Sequence, residues 1–458
     1  MFLFPLAYLV SFFYAVTQMF KKQIEGFLIF VIVGLPIYIN AMSVSFMYGF
    51  SRWIPLLQSF KELAVLGACL LVATQLKQKP VLHLIDKLII GFFVYTLLYV
   101  IVPIGSYTIM AKLMALKNLS FFCLLYFIGR FCDKDQVNIN KLFSFIVIVL
   151  LVATIVVFGE RILNQHLHSF TGFSDYNFYF FNTDASGNYG LLWTFETESS
   201  AKRFGSIFAN PLEFATAIVL SLGIMFALIS SKNNTEPNAI IQTNPNTLEK
   251  IGLIASFICI VLALSRAAFI SYFLVIYIYG WIIGNKKIIH FFHIGAAIIL
   301  LYVFYILEGD LYDFIMNTIT FQNESSLGHV LEWLDGINAM ATQPWGLGLG
   351  ESGRVSMTNK NNTGGENQFI IIGVQVGVIA MALYIYIYFK LIKTGLQQLK
   401  ITAGKEWKIM LAIVLIKIGM FIPMFTAYID SYIYLSYFSW FLSGYMINHI
   451  QNRQLITE

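Results

Sequence analysis

Long apolar runs alternate with short polar breaks along the whole chain. Apolar runs of about 20 residues read as bilayer-crossing helices. They recur at 2–20, 24–44, 62–76, 82–104, 109–130, 141–159, 207–230, 250–265, 267–284, 287–307, 367–392, 406–427 and 430–449. In hydrocarbon, only helices and closed barrels satisfy every backbone N–H and C=O. The apolar positions here are continuous and do not alternate, which selects helices. The pattern predicts an all-α polytopic membrane protein with about 12–14 transmembrane helices. They form one transmembrane domain over residues 1–458. The stretch 250–284 reads either as two short spans or as one long helix broken at Ser265–Arg266.

Two polar gaps are much longer than the rest, 160–206 and 308–366. In the second, Leu327, Val330, Leu331, Leu334 and Ile337 recur at helical spacing. Ser325 or Ser326 can cap the start, and Pro344 ends the segment. His329, Glu332, Trp333 and Gly336 fall on a second face. The spacing predicts a helix lying on the membrane surface, its polar face turned to the substrate. The run GLGLGESG at 346–353 reads equally as an anion nest or as a set of tight turns. It lacks the strand–turn–helix context of a nucleotide site. The first gap is unusually aromatic, which fits an interfacial belt or a surface on which sugars stack. A shorter gap, 231–249, is rich in Asn, Thr and Pro and reads as a solvated linker.

Composition supports the membrane reading. Of 458 residues, 58% are hydrophobic and 12% charged, against about a quarter charged in soluble domains. The net charge of +5 is modest and gives no reason to expect nucleic acid. Eighteen of the 29 Lys and Arg fall in one set of connections, among them Lys77, Lys79, Lys134, Lys232 and Lys405; ten fall in the other, including Lys360. Basic loops are cytoplasmic, so both long gaps face away from the cytoplasm and the C-terminus lies inside. An odd number of spans then puts the N-terminus outside. The first run, lacking a basic start, reads as a retained helix and not as a signal peptide. Cys69, Cys123, Cys132 and Cys259 lie in or beside spans and predict no disulfides.

Three arginines stand on the side where cations are scarce: Arg203, Arg266 and Arg354. The guanidinium fork suits phosphate; the plainer reading of an arginine at a span end is snorkelling to headgroups. Glu366, before the span at 367–392, is a candidate base or merely a helix-end carboxylate. His329 is the rival base. Glu213, Lys417 and Asp430 lie within spans, where ionisable groups usually pair or line a cavity; Glu213–Lys417 and Lys417–Asp430 are the candidate pairs. Proton-coupled transport is the rival role. No His, Glu or Cys cluster has metal spacing, and no cofactor or ATP signature is present. An outward-facing enzyme would need a substrate that carries its own energy.

Four segments in order, RFGSIFANPLEFA at 203–215, LALSRAAF at 262–269, GHVLEW to QPWGLGLG at 328–350 and GENQF to GVQVGVIA at 365–380, resemble the O-antigen ligase and polymerase superfamily. The resemblance covers about residues 200–385. It implies a GT-C-like bacterial inner-membrane glycosyltransferase that acts on undecaprenyl-diphosphate-linked oligosaccharide at the outer, periplasmic face without metal. By this likeness Arg203 and Arg266 hold the donor diphosphate, and Glu366 or His329 is the base. Arg354, Glu332, Trp333, Asn367 and Asn210 are then substrate-binding. Many members have Gly-Arg where this chain has Gly328-His329, and Arg354 is the candidate substitute. Ligases typically have His-Asn at Glu366-Asn367, so the likeness favours a polymerase of O-antigen, capsule or exopolysaccharide. A ligase and a flippase are the alternatives. The implied partners are membrane lipid and a chain-length regulator.

Overall fold

The computed structural model describes residues 1–76, 80–236, 241–305, 324–358 and 363–457. Residues 308–323 of the second long gap, with Lys77, Lys79 and Lys360, lie outside them. The chain is 75% helical, an all-α polytopic membrane protein. Its helices run α1 Leu3–Phe20, α2 Glu25–Ile29, α3 Tyr38–Met47, α4 Ile54–Gln75, α5 Leu84–Ile101, α6 Ile109–Phe131 and α7 Ile139–Leu163. Then come α8 Leu167–Phe170, α9 Phe173–Phe181, α10 Pro211–Ile229, α11 Thr247–Leu262, α12 Arg266–Ile283 and α13 Lys286–Tyr305. The last are α14 Glu324–Thr342, α15 Arg354–Thr358, α16 Gln368–Leu399, α17 Gly404–Phe421 and α18 Ile433–Thr457. Among the described residues nine helices are long and apolar enough to cross a bilayer, ten if one bent pair counts as a span. The helices α11, α13 and α18 occupy the other expected positions.

Four details depart from the sequence reading or resolve it. The segment expected at 24–44 is bent by 64° between Gly34 and Tyr38. Its first part loosens into a π turn at Phe30–Gly34, and Pro36 then removes a donor from the ladder. The span expected from 62 begins at Ile54, because Lys61 and Glu62 interrupt the apolar run that marks it. The stretch 250–284 is two helices. Ser256 Oγ and Tyr272 OH lie 2.9 Å apart, whereas 16 residues of continuous helix would separate them by about 24 Å. The two helices therefore fold back on each other, with Arg266 at the turn. The gap 231–249 is not wholly a linker: Ser230–Lys232 pairs antiparallel with Ile241–Thr243, and residues 237–240 lie outside the described set.

The helix α10 is the axis of the bundle, with 89% of its span buried against 28% for α1. The helices α6 and α18 touch at backbone distance, since a Cβ on Gly129 or Gly444 would strike the carbonyl of Phe441 or Tyr126. Small residues permit such approach where no hydrophobic drive exists between spans. One end of the bundle gathers lysines onto helix-end carbonyls. Lys405 Nζ donates to Lys134 and Val137, and Lys232 Nζ to Leu399 and Lys400. The opposite end carries both long loops.

The backbone break in α16 organises that loop-bearing end. Val376 and Gly377 leave helical geometry, Gly377 at φ 85°. The carbonyls freed there are met by the glycine run. Leu347 N donates to Val374 O at 2.7 Å, Gly348 N to Gln375 O at 3.1 Å, and Val378 N to Pro344 O at 2.9 Å. Gly350 N donates to Gln375 Oε1 at 2.9 Å. Non-helical backbone survives in a membrane protein only where such partners re-satisfy it. The run is thus a set of tight turns, with three of its N–H groups committed to α16. A Cβ on Gly377 would sit 2.7 Å from Pro344 O, and one on Gly348 2.6 Å from Ile104 O.

Gly377→Ala is expected to destabilise the protein by about 1–3 kcal/mol, the usual cost of such backbone strain. Gly91→Ala, on an open helical face, should be neutral or stabilising by up to about 1 kcal/mol. Thermal denaturation of the two purified variants in one detergent checks this; equal midpoints would contradict the joint described for α16.

Candidate functional site

The first long loop is folded. The helices α8 and α9 and two isolated bridges, Ser186 with Leu191 and Glu196 with Lys202, enclose Phe173, Leu191 and Phe195. His168 is buried with Nε2 2.8 Å from Phe208 O, and burial pushes its imidazole down to about 3. Burial and Lys202 likewise bring His166 down to about 4. Both are neutral core histidines. Part of the aromatic content is therefore loop core, while Tyr179 and Trp193 stay exposed.

Arg203 leaves this loop just ahead of α10, its N–H fixed to Phe195 O at 2.9 Å. Its side chain is half-buried, and its Nε is buried with no hydrogen-bond partner among the described residues. Burial lowers the guanidinium from its ordinary value, Arg266 lowers it further, and Glu198 opposes. Arg266 opens α12 and pairs with Glu198 at 3.1 Å. The two arginines of separate motifs thus share one electrostatic neighbourhood, and a buried unmet guanidinium N–H is costly until an anion meets it.

The helix α14 forms as the spacing predicts. Ser325 and Ser326 already lie inside it, so its cap falls outside the described residues. Leu327, Leu331, Leu334 and Ile337 are exposed, an open apolar face suited to lipid. The other face seats on α16: Gly336 meets Ile370 and Gly364, and Met340 meets Gly373. Trp333 packs in this seat with Met340, Ile370 and Val374. His329 and Glu332 project together, Nδ1 to Oε2 at 3.6 Å, with Glu332 lying against Gly365. The Glu332 contact raises the imidazole against burial, and Glu366 adds to the rise. Burial holds the Glu366 carboxyl above the usual carboxylate range against the pull of His329; Glu332 adds to the rise and Arg354 opposes it.

The helix-end role considered for Glu366 belongs to its neighbour. Asn367 Oδ1 accepts from Phe369 N and Ile370 N at 3.0 and 3.2 Å. Asn210 likewise caps α10, accepting from Glu213 N at 2.9 Å. The start of α16 is clamped to the segment before α18. Gln368 Nε2 donates to Asp430 Oδ2 at 3.0 Å, and Asp430 N donates back to Gln368 Oε1 at 3.0 Å. Tyr384 OH and Trp440 Nε1 complete the shell of the Asp430 carboxylate. Arg354 joins the same segment, Nη2 to Ser431 O at 3.1 Å.

The ion pairs considered for Lys417 do not form among the described residues. Its Nζ lies over the Trp440 ring, 3.7 Å from the centre, in the geometry of a cation–π contact. One charge cluster is not apparent from the apolar pattern. Lys61 and Lys117 both approach Glu62 Oε1, at 3.2 and 2.9 Å, and Lys61 Nζ donates to Tyr38 OH at 3.1 Å. Part of the signal was present, since Glu62 and Lys117 fall within the expected spans 62–76 and 109–130, but Lys61 lies before the expected start of its span and only the helix start at Ile54 brings it in.

Electrostatic influence links Arg203 with Arg266, Arg266 with His329, and Glu366 with His329, Glu332 and Arg354. Two fixed cations, a histidine–glutamate pair, a raised carboxyl and a third arginine can bind a polyanion beside a proton acceptor. Residues 251–385 match the family model described as O-antigen ligase. The matched region takes in Arg266, His329, the glycine run, Arg354 and Glu366; Arg203 precedes it. The match supports the O-antigen ligase and polymerase superfamily. No curated protein matches the chain.

Asn367→Ala is expected to cost about 1 kcal/mol through loss of the cap, and Asn367→Asp to cost much less. A thermal shift series in detergent checks this. Equal losses in both variants would mean that the amide nitrogen, and not the capping oxygen, carries the role.

Proposed function

We propose that the protein is a glycosyl-transferring membrane enzyme that polymerises undecaprenyl-diphosphate-linked repeat units of O-antigen, capsule or exopolysaccharide. The reaction takes place at the loop-bearing, periplasmic end of a bundle in the bacterial inner membrane. The observation that carries the reading is the buried Nε of Arg203, with no hydrogen-bond partner among the described residues, within electrostatic reach of Arg266, which in turn reaches His329. An energised lipid donor supplies the driving force, since the diphosphate departs once its charge is met in a site shielded from water.

In this reading Arg203 and Arg266 hold the donor diphosphate through charge-assisted hydrogen bonds. Glu366 takes the proton of the acceptor hydroxyl as its oxygen bonds to the anomeric carbon. The bond from that carbon to the diphosphate breaks, and undecaprenyl diphosphate leaves with the electron pair. A carboxyl held above its usual range is the stronger base for this work. His329, whose imidazole Glu332 raises, supplies in its protonated form the cation that the family resemblance places there as arginine. Arg354, held on Ser431 O, acts on Glu366 as a further cation, and a chain-length regulator would act from outside this chain. The ligase alternative shares this chemistry and differs in acceptor. The Glu366-Asn367 pair, where ligases carry His-Asn, favours polymerisation. A flippase has less support, because Asp430 and Lys417 are committed to Gln368, Tyr384 and Trp440.

Purified protein, given its host's lipid-linked repeat unit without added metal or ATP, is expected to yield a ladder on a gel. One product, formed only with a separate acceptor, would mean ligase. Unchanged substrate in both cases would remove the enzymatic reading. Arg203→Ala and Arg266→Ala should each lower turnover about 100–1,000-fold, and Glu366→Gln about 100-fold or more, with protein still in the membrane.

The rate should follow a bell in pH. Activity is lost as pH falls through the raised Glu366 value, above the ordinary ~4.3, and as pH rises through the raised His329 value, above ~6.5. Glu332→Gln removes a charge that raises both groups, so both limbs should move to lower pH. A profile that keeps both limbs in place would overturn these two assignments.

A further inference from the structure

The first long loop is closed at its neck by a carboxylate that the donor chemistry does not use. Glu160 is buried in the last turn of α7, well ahead of the matched family region. Its Oε1 accepts from Leu167 N at 2.8 Å and its Oε2 from Ser206 N at 3.0 Å. Leu167 opens α8 at the start of the loop. Ser206 stands at its end, three residues after Arg203. Lys202 Nζ closes the same neck by donating to Asn164 O, at the cap of α7. Arg203 is thus flanked by two ties to the end of one helix.

Ser206 is where the geometry is set. Its φ is 53°, in the left-handed region that a side chain disfavours. The residue is held there from two directions. Its N–H goes to Glu160, and its Oγ donates to Ala153 O at 2.7 Å. The residues that follow are pinned as well. Asn40 Nδ2 donates to Ile207 O at 2.8 Å, and His168 Nε2 lies 2.8 Å from Phe208 O. A Cβ on Gly205 would come within 3.1 Å of His168 Cε1, so the turn is closely seated against the start of the loop.

Both partners of Glu160 are backbone N–H groups and neither is a cation. Its charge therefore strengthens two hydrogen bonds that join the two ends of the loop. The segment it holds carries the arginine whose Nε is buried without a partner among the described residues. A guanidinium fork grips an anion only when it is aimed, and a misplacement of about 1 Å in such a site can cost about 100-fold. We propose that Glu160 is a positioning residue for Arg203, closing the neck of the first loop so that the guanidinium points at the donor diphosphate. The proposal rests on the glycosyl-transfer reading above and adds the residue that prepares its donor site.

A double-mutant cycle on ligand affinity tests it. The full chain in phosphatidylcholine nanodiscs is titrated with undecaprenyl diphosphate, and binding is read by native mass spectrometry. The chains are wild type, Glu160→Gln, Arg203→Ala and the two changes together. Glu160→Gln sets an amide N–H against one of the two backbone N–H groups. It should weaken binding about tenfold, yet change it less than about twofold where Arg203→Ala is already present. Leu167→Pro supplies a rescue. Proline is tolerated at the first residue of a helix, and His166 before it is already extended, as proline requires. With that N–H removed, the glutamine oxygen is free to accept from Ser206. Glu160→Gln with Leu167→Pro should therefore bind within about twofold of wild type, and this pair carries the test where Glu160→Gln alone does not fold.

Equal losses from Glu160→Gln with and without Arg203 would make its role one of folding alone. That would overturn the positioning role and leave the donor reading standing. Unchanged affinity in Glu160→Gln, or a Leu167→Pro change that fails to restore it, would do the same. Wild-type affinity in Arg203→Ala would instead overturn the donor reading, and this inference with it.

Discussion

The loop-bearing end of this protein depends on one unmet demand, the backbone hydrogen bonds lost where α16 breaks at Val376–Gly377. In a bilayer such a break cannot be left to water. The chain answers it with its own glycine run, whose N–H groups reach the carbonyls of Val374 and Gln375. Everything downstream is positioned by that joint. It anchors the loop that leads to Arg354, and it fixes the upper part of α16, on which α14 is seated. The start of that helix, where Glu366 and Asn367 stand, is held separately by the Gln368–Asp430 clamp. Glu351 extends the joint, taking both the N–H and the hydroxyl of Ser106 at 2.9 and 2.8 Å.

Around this joint, the charges divide by function. Those that stabilise are fully enclosed. Asp86 binds Arg130 at 3.0 Å and accepts from Tyr126, and Asp430 is surrounded by donors. Those assigned to chemistry are left incompletely satisfied: a guanidinium nitrogen with no partner among the described residues, and a carboxyl raised by burial. Desolvated groups of this kind cost stability and persist where a ligand meets their demand.

Much of this was legible in the residues. Span positions followed from apolar runs, and the amphipathic helix from the spacing of Leu327, Leu331 and Leu334. The arginines were marked by standing where cations are scarce. What stayed hidden depended on long-range geometry. Periodicity could not say whether 250–284 folded back, because a broken helix and a hairpin share one hydropathy profile. The glycine run was undecided because a nest and a backbone joint use the same residues, and only the break in α16 distinguishes them. Lys61 and Glu62 hid both a span start and a charge cluster, since the pattern that would place the helix is the one they interrupt.

The seating of α14 has a consequence for the environment the protein requires. One face rests on α16 through Gly336 and Met340, while four large apolar side chains of the other face, Leu327, Leu331, Leu334 and Ile337, stand exposed among the described residues. Such a face suits the acyl boundary of a membrane. His329 and Glu332 ride on this helix, so their distance from Glu366 is set partly by lipid. The bilayer is in that sense a structural subunit of the site, and its thickness and lateral pressure belong among the variables that tune the chemistry.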